Sequence, residues 1–251
     1  MEFKEVVKMF KAVISDTKAW KNSIEAVAAL IDEGTLQIDE KGIKLRAMDL
    51  SQIALVDLEL PVSSFEEYKV EKPVSIGVDF AELSKITKRS RAEDRIELAV
   101  DTRFKMVFKG DTTRSFSLAI IESTSTPPKE PKIEFTSELK IIANTLKEAL
   151  KDAELVSNHV SLRLADGFYI KADGDTGSAD IKFEKDAVMS LNTKQESKAV
   201  FALDQLNNLL KASDAQSIIL LKMRTDAPIR IEYAIGDGRV IYYLAPRIES
   251  V

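Results

Sequence analysis

The chain has 251 residues, enough for one large domain or two modest ones. Lys and Arg number 36 against 41 Asp and Glu, a net charge of −5, which excludes a surface basic throughout and confines any nucleic-acid role to one region. With no Cys and a single His, disulfides, thiolate catalysis, the usual structural zinc sites and all but one Ser-His-Asp arrangement fall away.

Residues 1–8 mix acids and lysines where a secretory signal needs an unbroken apolar stretch, and nothing later approaches the roughly 20 apolar residues of a membrane-spanning helix. An intracellular protein is expected. A strand over residues 10–14 leads to a helix over residues 17–31, capped by Ser15-Asp16, with Trp20, Ile24, Val27 and Ile31 on one face. An alternating pair, residues 36–38 and 43–47, turns at Lys41-Gly42 and reads as a hairpin. At Asp79, a good N-cap residue, the period changes from strand to helix, and strand pairs follow at 95–100 and 103–108.

Residues 122–131, rich in Ser, Thr and Pro, can build neither core nor ladder and read as a linker. Beyond it the whole pattern returns. A helix over 137–151 carries Leu139, Ile142, Ala143, Leu146 and Leu150 on one face. A hairpin at 160–164 and 168–172 turns at Gly167, which lies 167 − 42 = 125 residues after Gly42. A fourth helix is expected after Asp204, then strands at 217–224 and 229–234, and Gly236-Asp237-Gly238 is a hairpin turn. The boundaries expected are 1–118 for a first domain, 119–132 for the linker and 133–251 for a second.

The candidate chemistry is sparse. His159 reads as an exposed loop histidine, and Asp173, Asp175 and Asp180 have their glycines in the wrong places for a calcium loop. No phosphate-cradling glycine motif occurs, and no catalytic residue, metal or cofactor is expected. The helices, however, carry a basic polar face: Lys18 and Lys21; Lys85, Lys88, Arg89 and Arg91; Lys140, Lys147 and Lys151; and Lys211. Like charges at helical spacing are mildly unfavourable, so their concentration in an acidic protein points to a polyanion.

Gly42-Ile43-Lys44-Leu45-Arg46-Ala47-Met48-Asp49, Ser51-Gln52-Ile53-Ala54-Leu55-Val56, Ile76-Gly77-Val78-Asp79-Phe80 and Tyr243-Leu244-Ala245-Pro246-Arg247-Ile248-Glu249 stand in one order along nearly the whole chain. In these segments the sequence resembles the proliferating cell nuclear antigen family of DNA sliding clamps, its archaeal members above all. The resemblance implies an α+β fold of two similar domains and a homotrimeric ring, with helices lining the hole and antiparallel sheets outside. It implies a non-enzymatic processivity factor, without cofactor, that encircles duplex DNA regardless of sequence and tethers DNA polymerase, clamp loader, flap endonuclease and DNA ligase through short hydrophobic peptides.

The resemblance places that peptide pocket at Met48, Leu118, Ile120, Pro228, Tyr243, Leu244, Ala245 and Pro246. Subunits would join through strand edges at 112–118 and 178–183, with Thr112, Arg114 and Phe116 facing Ser178, Asp180 and Lys182. A prokaryotic clamp would be cytoplasmic and chromosome-associated, a eukaryotic one nuclear. The alternative is a clamp-like regulatory subunit that closes a ring only with a different partner subunit. The chain departs from the family at its start: about eight residues precede the first strand, so that Met1–Lys8 is an extension or Met9 is the initiator. The fourth helix is also poor in Lys.

Overall fold

A computed structural model describes residues 9–122 and 126–247; Met1–Lys8 and the terminal Ile248 and Glu249 lie outside the described residues. The first half runs β1 (Phe10–Ile14), α1 (Thr17–Ala28), β2 (Glu33–Asp39), β3 (Gly42–Met48), β4 (Ala54–Pro61) and a 3-10 turn at Val62–Ser64. It continues with β5 (Glu67–Val70), β6 (Val74–Asp79), α2 (Phe80–Thr87), β7 (Arg95–Val100), β8 (Phe104–Lys109) and β9 (Thr113–Leu118).

The second half repeats this order without a change. It runs β10 (Ser137–Ile142), α3 (Ala143–Glu154), β11 (His159–Leu164), β12 (Phe168–Asp173), β13 (Ser178–Lys182) and a 3-10 turn at Lys185–Ala187. Then come β14 (Ser190–Thr193), β15 (Ser197–Ala202), α4 (Leu203–Leu210), β16 (Ile218–Met223), β17 (Ile229–Ile235) and β18 (Gly238–Leu244).

The chain divides into two compact units, residues 1–47, 57–128 and 235–240 in the first and residues 48–56, 129–234 and 241–251 in the second. The first holds strands in the orders β5-β1-β7-β8-β9 and β6-β2-β3, the second β14-β10-β16-β17 and β13-β12-β11-β15, and the boundaries between the units fall inside β4 and β18. The pairing is duplicated strand for strand. Phe10 of β1 lies opposite Val100 of β7, and Ser137 of β10 opposite Met223 of β16.

Each unit packs its two helices on its own strands. α1 buries Trp20, Ile24 and Val27 at spacings of 4 and 3, and α2 buries Phe80 and Leu83. α3 buries Leu146, Ala149 and Leu150, and α4 buries Leu203, Leu206, Leu209 and Leu210. These are the apolar stripes of amphipathic helices, and they leave the polar faces outward. Burying one Leu or Phe in such a stripe contributes about 1.5–3 kcal/mol.

Four expectations need correction. The third helix begins at Ala143, so Lys140 is a strand residue opposite Leu220 and Ser190 and does not share the basic helix face. The alternation of buried Ser137, Leu139 and Ile141 with exposed Lys140 is a strand period, and it runs into the helix without an intervening turn. α1 ends at Ala28, not Ile31.

Asp79 caps α2, accepting from the Glu82 N–H at 2.8 Å, but Asp204 is no cap. α4 starts two residues earlier than that cap would place it, with Ala202 in the cap position. The Leu203 N–H is satisfied instead by the Asn158 carbonyl at 2.9 Å, as Phe80 N–H is by Asp32 at 2.7 Å. His159 is not in a loop but is the first residue of β11, half-buried opposite Ala202, and touches the Arg247 guanidinium.

Candidate functional site

The first candidate is the set of outward helix faces. On α1, Asp16 caps the helix by accepting from the Ala19 N–H at 2.9 Å, which directs Lys18 outward. Lys85 on α2 is exposed and bridges Glu82 at 2.6 Å; Lys151 on α3 is exposed and bridges Glu148 at 2.8 Å. In both pairs the carboxylate favours the charged amine and raises its pKa. Exposed pairs one helical turn apart contribute little to stability and exchange readily for another anion. Lys88, Arg89 and Arg91 are exposed at the end of α2, and Lys211 is exposed at the end of α4, where positive charge also suits the negative helix terminus.

Lys21 and Lys147 are different. The Lys21 ammonium donates to the Ser90 carbonyl at 3.2 Å, and the Lys147 ammonium donates to the Ser213 carbonyl at 2.7 Å. Both are half-buried and tie one helix to the segment that follows the other.

The second candidate is apolar. Asp49 knits a tight loop after β3: its carboxylate accepts from the Ile53 N–H at 2.9 Å and the Ala54 N–H at 2.8 Å, and Gln52 takes a positive φ of 59°. The consequence is outward projection of three apolar side chains, with Met48 39%, Leu50 97% and Ile53 41% exposed. The C-terminal segment runs beside them, since Ala245 N–H donates to the Ile53 carbonyl at 2.8 Å. Apolar groups gathered in this way mark an interaction surface more often than scattered ones do.

Among the residues expected in the peptide pocket, Met48, Pro228, Ala245 and Pro246 belong to this same unit and are at least partly exposed. Tyr243 and Leu244 are core residues, 5% and 2% exposed. Tyr243 packs with Leu55, Ile241, Ile133 and Phe135, and its hydroxyl donates to Glu130 at 2.8 Å. Burial, then the Glu130 carboxylate, push its phenol pKa up. Leu118 and Ile120 belong to the first unit and are half-buried. Leu50 and Ile53 were not anticipated, because nothing in their spacing distinguishes them from core residues.

The third candidate is a pair of strand edges. β9 and β13 end their sheets, so each presents a row of backbone donors and acceptors. Thr112 lies just before β9, and Phe116 packs on Phe108 with ring centres 5.4 Å apart. Arg114 reaches inward instead, donating to the Arg89 carbonyl at 2.8 Å and pairing with buried Asp94. Ser178, Asp180 and Lys182 alternate along β13, with Ser178 opposite Asp173 and Asp180 opposite Lys171.

The family profile described as "Proliferating cell nuclear antigen, N-terminal domain" matches residues 9–121, and its C-terminal counterpart matches residues 129–248. The chain is 36% identical over 252 residues to the "DNA polymerase sliding clamp" of Methanococcus maripaludis, covering 96% of this chain and 100% of that one. It is 33% identical over 247 residues to "DNA polymerase sliding clamp 1" of Thermococcus kodakarensis, with 96% and 99% covered. A crystal structure of PCNA from Thermococcus kodakaraensis superimposes with a TM-score of 0.90 at 25% identity, over 95% of this chain and all of that one. A. fulgidus PCNA, solved with the C-terminal region of FEN-1 bound, gives 0.89 at 28% identity over 97% and 100%.

Proposed function

The chain belongs to the proliferating cell nuclear antigen family, and on that premise we propose that it is a DNA sliding clamp, a non-enzymatic ring that encircles duplex DNA and tethers replication and repair enzymes to it. Residues 1–118 and 133–251 are taken as its two domains and residues 119–132 as the linker between them. The ring is read as a homotrimer acting at the chromosome.

One observation carries the assembly. β9, the last strand of the first half, and β13, the fourth strand of the second, both end their sheets and are open to a further strand. A second copy could place its β9 beside β13 and so continue the sheet from one chain into the next. Such a contact is heterologous, and it closes into a ring when its rotation divides the circle.

The exposed cations of the helices and of the turn after α2 would then meet phosphates, giving binding that ignores sequence and weakens with salt. An excess of acids elsewhere would keep DNA from other faces. Partners carrying short apolar peptides would dock at the surface formed by Met48, Leu50, Ile53, Ala245 and Pro246, which suits a helix or strand with alternating apolar anchors. Light scattering decides the assembly: a mass near 3 × 28.0 kDa is expected, and a stable monomer would refute the homotrimer.

A further inference from the structure

We infer that Lys21 and Lys147 act as helix clasps rather than phosphate contacts, leaving Lys88, Arg89, Arg91, Lys151 and Lys211 to face DNA; the second half of this rests on the clamp reading above. The clasp is present twice, 147 − 21 = 126 and 213 − 90 = 123 residues apart, once in each of the two duplicated units. In each copy the chain leaving the second helix turns back on itself. Ser90 gives both its N–H and its hydroxyl to the Thr87 carbonyl, at 3.0 and 2.8 Å. Ser213 gives the same two groups to the Leu210 carbonyl, at 3.0 and 2.7 Å.

Both serines are buried, at 6% and 7% exposure. With donor groups used locally, each serine still has a carbonyl to satisfy, and a buried acceptor without a partner is costly. The lysine of the neighbouring helix supplies that partner. It also brings positive charge to the negative end of α2 or α4, where the last carbonyls are short of donors.

Each clasp is reinforced from the start of the same lysine's helix. Thr17 donates its hydroxyl to Ala92 at 3.4 Å; Ala143 and Asn144 donate their N–H groups to Ser217 and Ala215 at 2.8 and 2.9 Å. A lysine held this way reaches a phosphate only by abandoning a buried carbonyl. Its role is to fix the turn after the second helix, and in the first unit that turn carries Arg89 and Arg91.

The test compares two double variants, Lys21→Met with Lys147→Met and Lys88→Ala with Lys151→Ala, and uses Lys21→Arg with Lys147→Arg as the conservative control. Binding of a blunt 30-base-pair duplex is followed by fluorescence anisotropy across a salt series, and amide exchange is followed over residues 84–92 and 207–215. The Met pair should leave the slope of log affinity against log salt unchanged and quicken exchange in those segments about five-fold, and Arg should restore protection. The Ala pair should lower the slope by about one for each phosphate left without its cation and leave exchange as it was.

A slope lowered by the Met pair as much as by the Ala pair, or exchange unmoved by the Met pair, overturns the inference. Each single Met variant gives the same two readings should the double variant fail to fold. If the wild-type chain shows no salt-dependent duplex binding, the DNA half fails with the clamp reading, while the exchange data judge the clasp alone.

Discussion

Gly77 and Ile121 form an isolated antiparallel bridge, with Ile121 N–H donating to the Gly77 carbonyl at 2.9 Å. A Cβ on Gly77 would stand 2.3 Å from the Ile121 carbonyl oxygen, so only glycine lets the start of the linker lie against β6. Its φ is not in the left-handed range, and alanine there would suffer from nothing but this close approach. Gly77→Ala should therefore lift Ile121 and the adjoining Ile120 from β6 at a cost of about 1 kcal/mol for the broken bond. Peptide affinity measured by calorimetry should fall several-fold while the oligomeric mass stays unchanged; wild-type affinity would show that Ile120 plays no part in docking.

Leu50 gives a separate test of the docking surface. It is 97% exposed, so Leu50→Ser should leave thermal stability within about 0.5 kcal/mol of wild type. An apolar anchor at the centre of an interface is worth more than about 1 kcal/mol, and the same variant should weaken a partner peptide at least five-fold. Unaltered affinity would move the pocket away from this loop.

Asp49 holds that loop together, and its replacement should act by another route. Asp49→Ala removes two hydrogen bonds, to the Ile53 and Ala54 N–H groups, each worth about 1 kcal/mol net. A urea titration should show a loss of about 1–2 kcal/mol, accompanied by weaker peptide binding. Weaker binding at undiminished stability would mean that Asp49 touches the peptide directly.

What the sequence revealed, and what it hid, follows from the range of the interactions. The hairpins turning at Gly42 and Gly167 were legible because a period of two and a turn glycine are local signals, and their spacing exposed the duplication. Lys140 was misplaced because β10 passes into α3 at Ile142–Ala143 without a turn, so one apolar stripe was drawn through two periods. Asp204 was mistaken for a cap because the Asn158 carbonyl, far off in sequence, does that work. The clasps span 69 and 66 residues, and no local pattern announces them. Tyr243 and Leu244 carried the family signature but are core residues, while the exposed Leu50 had no mark at all.

Arg114 and Asp94 make the last prediction, which concerns pH. Burial alone would raise the Asp94 carboxyl, but the Arg91 N–H and the Arg114 guanidinium outweigh it and hold its pKa below the ordinary 3.8. A carboxyl lowered by folding binds its proton less tightly in the folded state than in the unfolded one. Its contribution is therefore complete above the ordinary value and disappears as pH falls through the lower, folded one. Arg114→Met keeps an apolar stem beside Phe108 but strands a carboxylate whose side chain is 1% exposed. At pH 7 this should cost about 3 kcal/mol. As the solution is acidified the stranded carboxyl takes up a proton before the paired one does, and the cost shrinks. Urea midpoints of variant and wild type should lie well apart at pH 7 and draw together by about pH 3. A gap of the same size at both values would mean that Arg114 stabilises the turn after α2 by packing and by its bond to the Arg89 carbonyl, and not through Asp94.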